Sequence, residues 1–338
     1  MRAVGYKKSL PIDNEASLQD IELPDYTEAD LGPHDILVEV AAVSVNPVDT
    51  KVRMRAEPES RYKILGWDAS GTVKAIGSEV SLFAPGDDVF YAGAIGRQGT
   101  NSELHIVDER IVGKKPESLS HSDAAALPLT TITAWEMLFD GMNVPMNGGD
   151  GDALLVLGAA GGVGSILIQI AKSLTNLTVI ATASRDDTRQ WCEKLGADHV
   201  IDHHGDMKEQ LEKLGIQPRY VASLTATDKN FDTIIDVIAP RGAIALIDDP
   251  AELNALKLKP KSLSLYFEFM FARSAFEMPD MIEQHNLLNR LSELVDQGKV
   301  VTTAKHDGGS INATNLRKAH MLQESGTAIG KTTLTGFG

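Results

Sequence analysis

ALLVLGAAGGVGSILI, from Ala153 to Ile168, is the stretch of this sequence that decides the fold. It passes from an apolar run, through a cluster of glycines, into an apolar segment with helical spacing. This pattern predicts a strand, a tight turn and a helix. Ala159, Gly161 and Gly164 have the spacing of the G-x-G-x-x-G turn, with alanine at the first place and Gly158 before it. The sequence therefore predicts that a dinucleotide binds at the start of this helix.

The turn supplies the first set of predicted cofactor contacts. Gly161 lets backbone amides approach a pyrophosphate closely, and Gly164 lets the helix lie against the strand. A glycine turn without any ligand is the alternative, since such turns are common. The residues predicted to contact the cofactor here are Gly158, Ala160, Gly161, Gly162, Val163 and Gly164.

The second strand, 178–182, should end where the ribose of the cofactor is recognised. An NAD site has an acidic residue at this place, but here the strand runs into Ser184 and Arg185, with Arg189 one helical turn further on. Because a guanidinium matches a phosphate group, these residues favour NADPH over NADH. The alternative is that both arginines are solvated residues at the start of a helix.

Strands alternate with helices after residue 128, which predicts a doubly wound parallel sheet. Helices are expected at 130–139, 186–195 and 206–214, among others. Before residue 128, short strands broken by glycine and proline predict a mostly β domain. From about Phe276 a helix from Pro279 to Gln297, a strand near Val300, a helix from Asn312 to Glu324 and a final strand from Lys331 to Leu334 are expected. The strands of the parallel sheet are expected at 153–157, 178–182, 198–201, 220–223, 243–247 and 263–269.

Composition excludes several classes of protein. The 338 residues suggest two domains, and a hydrophobic content of 43% is ample for their cores. A net charge of −15 argues against nucleic-acid or anionic-membrane partners. The single cysteine, Cys192, allows no internal disulfide, and with no signal or membrane-spanning segment the expected location is the cytoplasm.

Five motifs in a fixed order resemble the medium-chain dehydrogenases/reductases, and most closely their zinc-free quinone oxidoreductase branch. The resemblance covers essentially the whole chain. It implies a Rossmann domain at 129–276 and a GroES-like catalytic domain formed by 1–128 and 277–338, with the ligand between them. The motifs are SVNPVDTKVR (Ser44 to Arg53), LGWDASGTV (Leu65 to Val73), PGDDVF (Pro85 to Phe90), ALPLTTITAW (Ala126 to Trp135) and GAAGGVGS (Gly158 to Ser165).

The places that match the zinc ligands of this family carry Asn46 and Trp67, and no cysteine lies near the domain junction. Neither an amide nor an indole is a usual zinc ligand, so no metal is expected. Without a metal, NADPH-dependent reduction of a small quinone or an α,β-unsaturated carbonyl compound is the expected activity. The alternatives are a zinc-independent alcohol dehydrogenase or carbonyl reductase, and an NADPH-binding protein with incidental turnover.

The resemblance also implies site residues outside the glycine turn. Asn46, Lys51 and Thr133 are the expected catalytic residues, and Asn46 and Thr133 are expected to contact the cofactor as well. Asn46 could instead form an Asn-Pro turn without a catalytic part. Arg273 and Lys331 are expected near the cofactor, although Arg273 could equally form a surface salt bridge.

Ligands of open α/β sheets lie outside the carboxyl ends of the strands. This rule predicts further cofactor contacts at His203, Ser223, Thr225 and Ile247. The sixth strand is expected to bury Phe267 and Phe269 as core residues. Its apolar segment, 262–269, is also expected to pair across a two-fold axis in a homodimer.

Overall fold

In the computed structural model, which describes residues 1–58 and 61–338, the chain divides into two units. One consists of Met1–Ile132 and Phe271–Gly338, and the other of Thr133–Met270. Among the described residues, no helix is both long and apolar enough to cross a membrane.

The Thr133–Met270 unit holds a six-stranded sheet with the order β11-β10-β9-β12-β13-β14, in which all neighbouring strands are parallel. This is the expected doubly wound sheet, and the predicted fold class is confirmed. The strands are β9 (Ala153–Leu157), β10 (Thr178–Thr182), β11 (His199–Ile201), β12 (Tyr220–Ser223), β13 (Ala243–Leu246) and β14 (Ser264–Phe267). The helices are α4 (Gly162–Leu174), α5 (Asp186–Lys194), α6 (Met207–Leu214) and α7 (Thr227–Val237).

The core of this sheet explains why its central strand reads as an uninterrupted apolar run. Leu155 pairs with Ile180 on one side and Val221 on the other, and all three side chains are fully buried. A parallel strand covered by helices on both faces has no solvent side on which to alternate polar residues. Burying each such side chain stabilises the fold by roughly 1.5–3 kcal/mol.

The other unit is mostly β, as expected. Its larger sheet has seven strands in the order β15-β16-β3-β5-β6-β8, with β7 paired to β3, and its smaller sheet has the order β2-β1-β4. The strands are β1 (Arg2–Tyr6), β2 (Gln19–Glu22), β3 (Asp35–Ser44), β4 (Lys63–Ile64), β5 (Asp68–Ile76), β6 (Asp88–Ala92), β7 (Leu104–Asp108), β8 (Val112–Lys114), β15 (Ala304–Asp307) and β16 (Lys331–Thr335). The helices are α1 (Pro47–Arg55), α2 (His121–Ala125), α3 (Pro128–Trp135, which crosses into the other unit), α8 (Ala272–Ala275), α9 (Ile282–Asp296) and α10 (Ala313–Glu324).

Several sequence predictions were wrong in detail. The strand expected near Val300 is β15 and begins at Ala304, and the helix expected to reach Phe139 ends at Trp135 and continues as a π-helical segment, Glu136–Gly141. Phe267 and Phe269, expected in the core, are 60% and 50% exposed. Phe267 is the last residue of β14, an edge strand with β13 as its single neighbour, and Phe269 lies beyond the end of that strand; the spacing of apolar residues reveals neither fact.

His320 of α10 is buried without polar partners. It is 0% exposed, and neither ring nitrogen has a hydrogen-bond partner among the described residues. Burial, together with the positive charge of Arg53, lowers the pKa of His320 to about 3. The imidazole is therefore neutral in the folded protein across the physiological range.

This burial makes the fold sensitive to acid. The unfolded chain binds a proton at residue 320 below its ordinary pKa of about 6.5, whereas the folded chain does not, so stability is lost as the pH falls below that value. Between pH 7.5 and 5, we expect the unfolding free energy of wild type to fall by about 2 kcal/mol more than that of His320→Leu. Urea unfolding followed by circular dichroism at each pH measures the difference. His204→Leu, at an exposed position, is the control, and an equal loss in His320→Leu and wild type would contradict the assignment.

Candidate functional site

The glycine turn joins β9 to α4 with two different requirements for glycine. Gly158 has φ +76°, in the left-handed region that favours glycine. A Cβ added at Gly164 would lie 2.4 Å from the carbonyl oxygen of Ala159, so the helix can approach the strand only without a side chain there. The turn is thus built for close packing at both of its ends.

Gly161 differs from these two positions, because the protein itself does not require a glycine there. Its φ is −72°, and an added Cβ would meet only the carbonyl oxygen of Gly158, at an ordinary contact of 3.4 Å. The first-turn amides of α4, at Gly162, Val163 and Gly164, have no carbonyl partners within the helix. Open space beside unpaired amides fits an anionic group, so the turn can hold a pyrophosphate.

The ribose end of the predicted site lies after β10. Ser184 is half-buried, and the exposed Arg185 forms an ion pair with Asp187, with 3.3 Å between Nε and Oδ1. Partial burial, the neighbouring His204 and the charge of Arg185 lower the pKa of His203. Arg185 and His203 follow the ends of β10 and β11, which are neighbouring strands of the sheet.

Arg189, the second predicted arginine, is engaged with the backbone. Its Nη1 donates to the carbonyl oxygen of Ala183 at 3.2 Å, and its Nη2 donates to that of Val200 at 3.0 Å. The side chain therefore braces the ends of two neighbouring strands. Two of its three guanidinium nitrogens are used in this way, and its role in binding a phosphate stays a prediction.

The remaining strand ends follow the same edge of the sheet. Thr225 packs against Gly158, where an added Cβ would lie 3.0 Å from its Cγ2, and Ile247 is half-buried after β13. The hydroxyl of Ser223 is buried and lies 2.7 Å from that of Thr227. Thr227 in turn donates from its amide to Asp248 at 2.8 Å. The sequence did not point to Thr227, because α7 begins at a residue without a capping side chain and was not predicted.

The second part of the candidate site is a buried polar cluster in the other unit, where α1 begins. Asp68, 0% exposed, accepts hydrogen bonds from the Ser44 hydroxyl (2.7 Å), the Asn46 amide (2.8 Å) and the Leu129 main chain (2.7 Å). The Lys331 ammonium lies 3.1 Å from the same carboxylate. Four donors thus converge on one buried carboxylate.

Lys331 fixes the orientation of the Asn46 side chain. Its ammonium is buried and donates to Asn46 Oδ1, to the carbonyl oxygen of Val45 at 2.8 Å and to Asp68. Burial lowers the pKa of Lys331, while Asp68 and Asp49 act in the opposite direction. Two of the predicted site residues, Asn46 and Lys331, are therefore in direct contact.

Asp49, in the first turn of α1, is a second buried carboxylate of the cluster. Its carboxylate accepts hydrogen bonds from the main-chain N–H of Asn46 at 2.7 Å and from the main-chain N–H of Gly66 at 2.9 Å. Burial raises the pKa of Asp49 to about 7, against the hydrogen bonds and Lys331, which lower it. Asp49 thus ties the start of α1 to the segment that leads into β5.

The other predicted residues lie outside this cluster. Lys51 is half-buried on α1, and Thr133 is buried on α3 in the other unit. Arg273 donates to Asp280, with 3.1 Å between Nε and Oδ2, which is the salt bridge that the sequence left as its alternative. The roles assigned to Lys51, Thr133 and Arg273 remain predictions.

The donors at this place do not fit zinc. The Asn46 amide is engaged by Asp68 and Lys331, and Trp67 presents an indole, which has no lone pair for a metal. Within residues 1–58 and 61–338, no group of three or more His, Cys, Asp or Glu side chains is placed to hold a metal ion.

Comparison with known proteins gives consistent matches in both units. A model of the alcohol dehydrogenase GroES-like domain matches residues 32–117, and one of the zinc-binding dehydrogenase family matches residues 162–286. A zinc-type alcohol dehydrogenase-like protein of Staphylococcus aureus (strain COL) is 42% identical over 98% of both chains.

Solved structures extend the similarity to the fold. A putative zinc-dependent alcohol dehydrogenase of Rhizobium etli CFN 42 is 53% identical, with a TM-score of 0.96 over 100% of this chain and 98% of that one. Escherichia coli quinone oxidoreductase complexed with NADPH has a TM-score of 0.83 over 99% of this chain and 100% of that one. Its identity is 24%, so this last likeness shows the fold alone.

Two glycine variants separate packing from ligand binding in the turn. We expect Gly164→Ala to lower the melting temperature by several degrees, since its Cβ meets a backbone oxygen that cannot move aside. Gly161→Ala should fold nearly as well as wild type but bind a dinucleotide about tenfold more weakly or worse, since its methyl group enters the open space beside the amides. Differential scanning fluorimetry without ligand and fluorescence titration with NADPH measure the two effects. Wild-type affinity in Gly161→Ala would place the pyrophosphate elsewhere.

Proposed function

This chain belongs to the medium-chain dehydrogenase/reductase superfamily, and from that premise we propose that it reduces quinones or α,β-unsaturated carbonyl compounds with NADPH and without zinc. The observation that carries the proposal is the cluster around Lys331. Lys331 holds the side chain of Asn46, the residue that matches a metal ligand of the zinc-dependent members, and this favours a substrate that needs no Lewis acid. Electron-poor carbonyl compounds meet that condition.

The residues of this chain would hold the cofactor at two places. The first-turn amides of α4 would bind the pyrophosphate, and Ser184 and Arg185 would bind a 2′-phosphate. NADPH, when bound, supplies a hydride to an electron-poor carbon of the acceptor. The preference for NADPH is supported by the absence of a carboxylate at the end of β10, and a structural relative is known in complex with NADPH.

The polar cluster would orient Asn46 for its part in the reaction. Its Oδ1 accepts from Lys331 and one of its amide hydrogens goes to Asp68, so the side chain cannot rotate without breaking a buried contact. A fixed amide of this kind can donate its remaining hydrogen to a cofactor or substrate without reorganisation. Lys331 would act here as a positioning residue for Asn46, and its direct contact with the cofactor stays a prediction.

An acceptor panel tests the proposed function. We expect NADPH oxidation with duroquinone or cyclohexenone that persists after treatment with a chelator, measured by absorbance with NADH and benzaldehyde as comparisons. Turnover confined to aldehydes would indicate a carbonyl reductase instead. NADPH binding without turnover of any acceptor would favour a binding protein, and loss of activity on chelation would show that a metal is needed.

Arg185 is expected to set the choice of cofactor. Arg185→Asp removes the cation proposed to bind the 2′-phosphate and introduces the carboxylate typical of an NAD site. The dissociation constant of NADPH should rise about tenfold or more, while that of NADH stays the same or falls. Isothermal titration with both cofactors measures this change. Arg219→Asp, at an exposed arginine of the same unit, is the control and should alter neither constant.

A further inference from the structure

Trp67 carries a buried hydrogen-bond donor, the N–H of its indole ring. The side chain is 1% exposed, and its Nε1 has no hydrogen-bond partner in the part of the chain that the structure describes. Leaving such a donor unpaired destabilises the folded protein, because the N–H loses its hydrogen bond to water without gaining another. Another buried tryptophan, Trp191, shows the usual arrangement, in which Nε1 donates to Ser165 Oγ at 2.8 Å.

Both sequence neighbours of Trp67 take part in the buried polar cluster. Trp67 stands between Gly66, whose amide binds Asp49, and Asp68, whose carboxylate binds Asn46 and Lys331. The main chain on both sides of the indole is therefore held by the polar cluster. A donor supported in this way keeps its place when a ligand arrives.

The surroundings of the indole offer little that could satisfy it. The ring of Phe271 makes a T-shaped contact, with 5.8 Å between centroids and 64° between planes, and an aromatic face is a weak acceptor. A Cβ added at Gly93 would lie 3.6 Å from Cδ1, the atom next to Nε1 in the ring, so there is room for a small group on this side. Because Trp67 is covered in the structure, an acceptor oxygen can reach Nε1 only by displacing what covers it.

We infer that the indole N–H of Trp67 donates a hydrogen bond to the carbonyl oxygen of the substrate, an inference that rests on the proposed function. As the substrate carbon gains a hydride, its oxygen gains negative charge and then a proton from water, while the indole keeps its own proton. The hydrogen bond strengthens as this charge develops, which lowers the barrier. For the proposed acceptors this oxygen becomes the phenolate of a reduced quinone or the enolate of a reduced enone.

Replacing the donor without removing the ring tests the inference by kinetics. Trp67→Phe removes the N–H, and substitution of Trp67 by benzothienylalanine exchanges it for sulfur at nearly constant ring size. We expect kcat/KM for cyclohexenone to fall roughly 10- to 100-fold in both variants, between the loss of an ordinary hydrogen bond and that of an oxyanion donor. The dissociation constant of NADPH should not change.

Tyr91→Phe is the matched control in the same unit. Its hydroxyl is buried but already bonded to His105 Nδ1 at 3.0 Å, so its removal should lower the melting temperature and leave kcat/KM unchanged. A benzothienylalanine variant with the kcat/KM of wild type would overturn the inference and leave the proposed function standing. Equal kinetic losses in Tyr91→Phe and the Trp67 variants would also overturn it, since the effect would then be structural.

A second measurement does not depend on turnover. The chain has three tryptophans, so ¹⁵N-indole spectra contain three side-chain signals that Trp→Phe variants can assign. Titration of the NADP⁺-saturated protein with cyclohexanone, which has the carbonyl oxygen but not the conjugated double bond, should move the Trp67 signal downfield more than the other two. No movement of that signal would overturn the inference even if the acceptor panel showed no activity.

Discussion

The buried contact between Lys331 and Asp68 is the constraint on which much of this structure depends. It joins β16 to β5, and through Asn46 and Leu129 it also fixes the starts of α1 and α3. Each charge has lost its hydration, so neither is tolerable without the other, and removing one partner of such a pair commonly costs 3–5 kcal/mol. The arrangement of this whole region of the mostly β unit is therefore set by a cation that belongs to the protein itself.

The two units meet different physical requirements. In Thr133–Met270, the candidate site consists of main-chain amides and open space, and its side chains mostly pack or brace the strand ends. In the other unit, the candidate site consists of charged side chains that satisfy one another, with the indole of Trp67 as an unsatisfied donor beside them. The first arrangement suits a ligand with its own charge, and the second suits a ligand that needs orientation and a hydrogen bond.

Features that depend on residues close in sequence, such as the bounds of strands, could be predicted. Contacts between residues far apart in sequence could not. The bounds of β9, β10 and β12 agree with the predicted 153–157, 178–182 and 220–223, because apolar strands flanked by glycine or polar residues leave a local pattern. The link between Lys331 and Asn46 spans 285 residues, and no local pattern signals it. The exposure of Phe267 depends on whether β14 has one neighbour or two, and the arrangement of Arg189 depends on carbonyl groups of two strands. Asp68 lies inside a motif that was singled out, yet its role became apparent only from its four donors.

The discontinuous unit has a consequence for synthesis on the ribosome. Thr133–Met270 is a continuous stretch, so all of its strands are available once residue 270 has emerged. Residues 1–132, although made earlier, lack both β16, which pairs with the end of β3, and the ammonium that neutralises Asp68 until residues 331–335 are translated. Until then residues 1–132 have an open sheet edge and an uncompensated carboxylate. This unit can therefore finish folding only after the Thr133–Met270 unit has been synthesised.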